Sequence, residues 1–230
     1  MDIIKQWPET CERYLGFLDI MGFTDMIARK QHEDIKKTLN RISGLTKTLT
    51  GAFNDSLEKG DTQHIRSVIF SDTILFVSKG NSLADLINLA DILKIFSETI
   101  IQSGEAPTKG VISFGKLTAD FENSIFFGQP LVDAYLLQKE LYYYGIITNH
   151  EVEAILMDYL EDEQNANEIS SRFIKLKTPI KGSPVNHYNL LISRISDKHL
   201  GCLYKTVSGS VRKYVDNTVE VYQQMNKLKQ

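Results

Sequence analysis

RYLGFLDIMGFTDMI, Arg13 to Ile27, contains the transition that decides how this chain folds. Its first seven residues form an apolar run closed by an acid, Asp19, which is the pattern of a buried strand that delivers a carboxylate at its C-terminal end. Gly22 then interrupts the chain. From Phe23 to Lys59 apolar residues recur at helical spacing, at Ile35, Leu39, Ile42, Leu45, Leu49 and Phe53. A pause at Gln31 and His32 divides this stretch into a short helix and a long one, ended by Gly60 and Asp61.

Downstream, strands and helices alternate. Ile65 to Ser71 and Thr73 to Ser78 are two β-rich runs that meet at Ser71-Asp72, a hairpin with an acid at its tip. Ser82 to Ile101 carries Leu83, Leu86, Leu89, Leu93 and Phe96 on one stripe, with Ser82 placed to cap the helix. Pro107 to Leu117 predicts a strand, Gln129 to Tyr143 a helix, Gly145 to Thr148 a strand and Glu151 to Tyr159 a helix. The acidic stretch EDEQNANE, Glu161 to Glu168, has the composition of an exposed loop. Arg172 to Lys177 and Val185 to Ile192 read as a closing strand pair around Gly182-Ser183-Pro184. The segment after Asp197 reads as one or two helices, and no internal repeat or clear linker is visible. The succession indicates an α/β sandwich, with helices packed on a sheet.

Bulk properties narrow the function. Of 230 residues, 42% are hydrophobic and 24% charged, which is the composition of a folding globular chain. The net charge of -3 argues against nucleic acid as a partner, because sequence-independent phosphate contact needs a concentrated basic surface. The two cysteines, Cys11 and Cys202, match no metal spacing and build no disulfide framework, so a cytoplasmic setting is expected. No stretch approaches the length of a membrane span, and no membrane partner is expected.

Asp19 at a strand end and Asp72 at a hairpin tip can be brought together. Paired carboxylates suit Mg2+ or Mn2+, which prefer oxygen ligands and share their coordination with substrate phosphates. Gly22 lets the backbone approach a ligand, and the helix that follows aims free amides at an anion. An equally simple account is that Asp19 caps the helix and Asp72 turns the hairpin.

FLDIMGFTDMI resembles the first metal motif of the class III adenylate and guanylate cyclases. VIFSDTILFV, Val68 to Val77, resembles their second, with Ser71 in place of the usual glycine. TKGVISFGKL followed by FFGQPLVDAYLLQKE resembles their third block, and KGSPVNHYNLL, Lys181 to Leu191, their late lysine-containing strand pair. The likeness runs from about Tyr14 to Glu140. It implies a ferredoxin-like palm sheet with helices packed on it, as a catalytic domain over residues 1–195 with a helical extension over 196–230. It also implies two Mn2+ or Mg2+ ions on Asp19, Asp72 and the carbonyl of Ile20, and a homodimer with shared active sites. The amides of Gly22, Phe23 and Thr24 would cradle phosphates, and Lys181 would reach the β- and γ-phosphates.

This chain also departs from the purine cyclases. The two base-reading positions fall at Val68 and Ile125, and the positions of the ribose-binding Asn and transition-state Arg fall at Val132 and Leu136. Lys139 and Lys109 are the cations left to balance phosphate charge, and Tyr135 can stack on a base or pack in the core. With both acids kept, the chain is most similar to the bacterial uridylate and cytidylate cyclases of Pycsar antiphage defence. That resemblance implies conversion of UTP or CTP to cyclic UMP or cyclic CMP, which would act on a separate effector. A silent nucleotide-binding module and an ordinary purine cyclase remain the alternatives.

Overall fold

The structure, a computed structural model, describes residues 7–56, 64–104, 106–205 and 207–228. In chain order the elements are strand β1 (Thr10–Ile20), helices α1 (Phe23–Arg29) and α2 (His32–Ser56), and strands β2 (Ile65–Phe70) and β3 (Thr73–Ser78). Helix α3 (Leu83–Ser103), strands β4 (Thr108–Asp120) and β5 (Ile125–Gly128), helix α4 (Gln129–Glu140) and strand β6 (Ile146–Thr148) follow. Helices α5 (His150–Leu160) and α6 (Glu163–Ser170), strands β7 (Phe173–Thr178) and β8 (Val185–Leu190), and helices α7 (Asp197–Leu203) and α8 (Arg212–Lys227) complete the chain.

The strands form one sheet in the order β2-β3-β1-β4-β6-β8-β7, with β5 paired to β4. Among the described residues only β4 and β6 run parallel, joined through α4; the other pairs are antiparallel. The two-residue period of β1 sorts its side chains between two cores. Tyr14, Leu18 and Ile20 face a core shared with α2, α3 and α5, whereas Leu15 and Phe17 face one shared with α4, α7 and α8. Asp19 falls on the second face. Both faces are mainly apolar where helices cover them, and each Leu, Ile or Phe buried there is worth about 1.5–3 kcal/mol.

Gly110 shows how tightly β4 lies against β1: a Cβ there would run into the carbonyl of Phe17 and the side chain of Leu18. Helix α3 starts with the expected cap, since Ser82 Oγ accepts from Asp85 N while Asp85 returns a bond to Ser82 N. At its other end Glu98, 4% exposed, accepts from the amides of Ser193 and Arg194 and so ties the chain leaving β8 to the helix. Helix α8 packs Val215, Thr218, Val221, Tyr222 and Met225 into the second core.

Two expectations are corrected. EDEQNANE is not a loop but most of α6, capped by Asp162 and anchored through Ile169, which is fully buried. Its acids and amides are simply the wet face of a helix held by one apolar residue and by Arg172, which pairs both oxygens of Asp91 at 2.8 Å. Helix α4 ends at Glu140 rather than Tyr143, because Leu141 turns extended and bridges Ile180 while Tyr143 and Tyr144 are buried as core. Strand β5 was not anticipated. The expected helix end at Gly60 and Asp61 lies outside the described residues.

Candidate active site

The site is built where β1, the β2–β3 hairpin and α4 converge. Asp19 pairs in register with Thr73, so the hairpin tip sits beside the end of β1. The amide of Ile20 donates to the carbonyl of Asp72 at 2.8 Å, and the amide of Met21 to that of Pro107 at 2.8 Å. The hairpin turns through Ser71 at φ 56°, a left-handed conformation that costs a residue with a Cβ.

Asp19 does not cap the helix that follows. The N-cap of α1 is Gly22 at φ 76°, with no side-chain cap, and Phe23 begins the helix buried while Thr24 is exposed. Glycine is needed there for its backbone angle, since nothing lies within 4 Å of where a Cβ would stand. The left-handed turn releases the Asp19 carboxylate from any duty to the helix.

Burial pushes the Asp19 carboxyl up to about 6, and the neighbouring Asp72 charge pushes the same way. Lys109, a side-chain hydrogen bond from Gln138 and the more distant Lys139 pull against this shift. Gln138 is 4% exposed on the inner side of α4 and was not anticipated from the sequence. Its signal was a polar residue on the stripe of Ala134 and Leu141.

The face carrying Asp19 is covered over β1 and β4 by α4, but toward the tip of the β2–β3 hairpin it is open. A groove of about 570 Å³ lies there, walled by Phe17, Val68, Phe70, Leu75, Phe126 and Tyr135, with Thr73 and Ser124 supplying hydroxyls. Tyr135 is therefore groove wall rather than core: it is 45% exposed and edge-on to Phe17, with centroids 6.2 Å apart. Lys139, one turn on, bonds the Tyr135 hydroxyl and stands 4.0 Å from the centre of its ring. Val132 and Leu136 share this outer side of α4, half exposed, and Phe70 is 81% exposed at the hairpin.

The structure thus joins Asp19, Ile20 and Asp72 beside the groove-lining Thr73, with Tyr135 in the groove wall, Lys139 bonded to it, and Gly22, Phe23 and Thr24 next in the chain. Lys181 lies apart in the exposed turn between β7 and β8, its amide bonded to the carbonyl of Glu140 at 2.8 Å.

The donor set suits a hard divalent cation. Two carboxylates meet, one is held well above its usual range by burial and by the other's charge, and a cation between them would relieve both. Among the described residues no cluster of three or more His, Cys, Asp or Glu forms, so further ligands would be backbone, water or phosphate oxygens, as Mg2+ prefers. Among the same residues no helix is long and apolar enough to cross a membrane.

Neither a family model nor a curated protein matches the sequence. Solved structures do match the fold. The catalytic core of a rhodopsin-guanylyl cyclase with converted specificity, in complex with ATPαS, is similar at TM-score 0.51 and 16% identity, over 80% of this chain and 98% of that one. A bacterial light-regulated adenylyl cyclase is similar at TM-score 0.50 and 13% identity, over 87% of this chain and 100% of that one. The fold is that of a class III nucleotide cyclase catalytic domain.

Proposed function

We propose that this chain is a nucleotidyl cyclase that converts UTP or CTP to the 3′,5′-cyclic monophosphate and pyrophosphate, as the cytoplasmic second-messenger synthase of a Pycsar antiphage system. The observation that carries this reading is the junction of Asp19 and Asp72 beside an apolar groove on a cyclase fold. Asp19, Asp72 and the carbonyl of Ile20 would hold two Mg2+ or Mn2+ ions. When bound, those ions supply the positive charge that favours the ribose 3′-oxygen as a nucleophile and offsets charge on the departing pyrophosphate.

The chain's own groups hold the substrate. The groove takes the base between apolar walls, and Val68, where a purine-reading side chain stands in related enzymes, offers it no hydrogen bond. The hydroxyls of Thr73, Ser124 and Tyr135 are the polar groups in its lining, which suits a small pyrimidine ring. The amides of Gly22, Phe23 and Thr24 cradle phosphate, with Lys139 adding positive charge. In the reaction the 3′-oxygen bonds the α-phosphorus, the bond from that phosphorus to the β-bridging oxygen breaks, and the hydroxyl proton leaves to water.

The exposed apolar side chains of Phe70, Val132 and Leu136 support a homodimer that closes over the groove, each copy completing the other's site. A second reading, a silent nucleotide-binding module, is favoured by Val132 and Leu136 standing where related enzymes use Asn and Arg.

One experiment separates these readings. The purified protein is incubated with ATP, GTP, CTP and UTP plus Mn2+, and products are identified by mass spectrometry beside an Asp72→Asn control. Cyclic UMP or cyclic CMP that disappears in the control is the expected result. A purine product would overturn the pyrimidine assignment, and nucleotide binding without turnover would favour the silent module.

A further inference from the structure

The last helix reaches the carboxylate pair through one lysine. Lys109 on β4 stands directly across from Asp19 on β1. Cross-strand partners of this kind have Cβ atoms about 4.5–5.5 Å apart on the same face. The side chain is buried at 5% exposure, and its ammonium donates to the carbonyl of Leu141 at 3.2 Å. It also lies 5.4 Å from the centre of the Tyr214 ring, on α8.

The Tyr214 ring is itself fixed. It stacks on Tyr144 at 5.9 Å and 15°, and meets Tyr142 edge-on at 5.2 Å and 87°. A buried ammonium needs compensation, and here a carbonyl, a ring face and the nearby charges of Asp19 and Glu140 provide it. Lys109 is therefore anchored beside Asp19, where its charge acts on the carboxylate.

We propose that Lys109 is a resident cation that opposes a divalent ion at Asp19, and that Tyr214 restrains it from closing onto the carboxylate, so that the C-terminal helix sets the metal affinity of the site. This rests on Asp19 and Asp72 being metal ligands, as in the function proposed above. Like charges repel, and the effect is large where burial lowers the dielectric. Removing the ammonium should tighten metal binding by about tenfold, the size of a modest interaction at short range. Removing the ring should let the ammonium swing onto Asp19 and weaken binding several-fold, an effect that needs Lys109 to be present.

The test is a Mn2+ titration of the full chain at pH 8 without nucleotide, followed by the electron paramagnetic resonance of free Mn2+. Expected are uptake by the wild type that Asp72→Asn abolishes, a lower Kd in Lys109→Met, a higher Kd in Tyr214→Ala and a near-native Kd in Tyr214→Phe. In Lys109→Met, adding Tyr214→Ala should change nothing further. Mn2+ uptake by the wild type with the same Kd in Lys109→Met would overturn this inference alone. A Tyr214→Ala effect that persists without Lys109 would overturn the part played by α8. A wild type that takes up no Mn2+ would overturn both this inference and the metal assignment beneath it.

Discussion

The amide of Ile20 donates to the carbonyl of Asp72 at 2.8 Å, so the two acids of the site are brought together by backbone rather than by their own side chains. Neither carboxylate is thereby spent on holding the hairpin to β1. Asp72→Asn should keep the hairpin docked, with unfolding stability within about 1 kcal/mol of the wild type, because the bond it makes is main-chain. The same variant should lower nucleotide turnover by more than about 100-fold. A urea titration beside a turnover assay checks both halves.

Asp19 gives a prediction with the opposite sign for stability. Its carboxyl is pushed from 3.8 up to about 6, so the folded chain holds a proton that the unfolded chain releases between those values. Stability attributable to this group is therefore highest below pH 4, falls as pH rises toward 6, and is lowest above it. In EDTA, Asp19→Asn should melt above the wild type at pH 7.5, and the gap should close at pH 4. Calorimetry at the two pH values reads this directly, and the variant should be inactive although more stable.

Ser71 occupies a left-handed position at φ 56° on the hairpin tip. Ser71→Gly should raise stability by up to about 1 kcal/mol, and Ser71→Val should lower it by about 1–2 kcal/mol, since the penalty comes from the Cβ. The midpoint of denaturation measures the pair. A flat response to both would mean that the turn adopts another conformation.

Phe70 is 81% exposed and Leu136 55% exposed on the face that would be covered by a second copy. Phe70→Asp and Leu136→Asp should leave the melting of the isolated chain nearly unchanged while weakening self-association by tenfold or more. Sedimentation over a concentration series gives the result. A wild type that stays monomeric at all concentrations would remove the shared-site assembly.

Glu98 accepts from the amides of Ser193 and Arg194 at 2.9 and 3.0 Å while almost wholly buried. Glu98→Ala would strand two donors and should cost about 2–4 kcal/mol. Glu98→Gln, which keeps one acceptor, should cost less, and guanidinium unfolding ranks the two.

The elements that carry the site were legible because their signals are local. A seven-residue apolar run closed by Asp19, a glycine with a left-handed angle, and two β-rich runs meeting at Asp72 each express themselves within a few residues. Helix α6 was hidden because a single buried Ile169 anchors it, which leaves a composition that is otherwise that of a loop. Strand β5 is only four residues long and pairs at the far end of β4, too short for alternation to show. Gln138 left a faint trace as a polar residue on an apolar stripe. Tyr214 left none, since its approach to Lys109 depends on a chain separation that no local pattern records.

Much of the groove wall comes from the β2–β3 hairpin and α4, with Phe17 of β1 and Phe126 of β5 adding to it, while the strands beneath belong to cores on both faces of the sheet. An exposed residue such as Phe70, Val132 or Tyr135 can therefore change its chemistry without disturbing what holds the sheet together. Substitutions at such positions usually shift stability by no more than about 0.5 kcal/mol. If the groove takes the base as proposed, the choice of base is nearly uncoupled from foldability, and a lineage of such chains could exchange one nucleotide alphabet for another by small steps that each leave a folded protein.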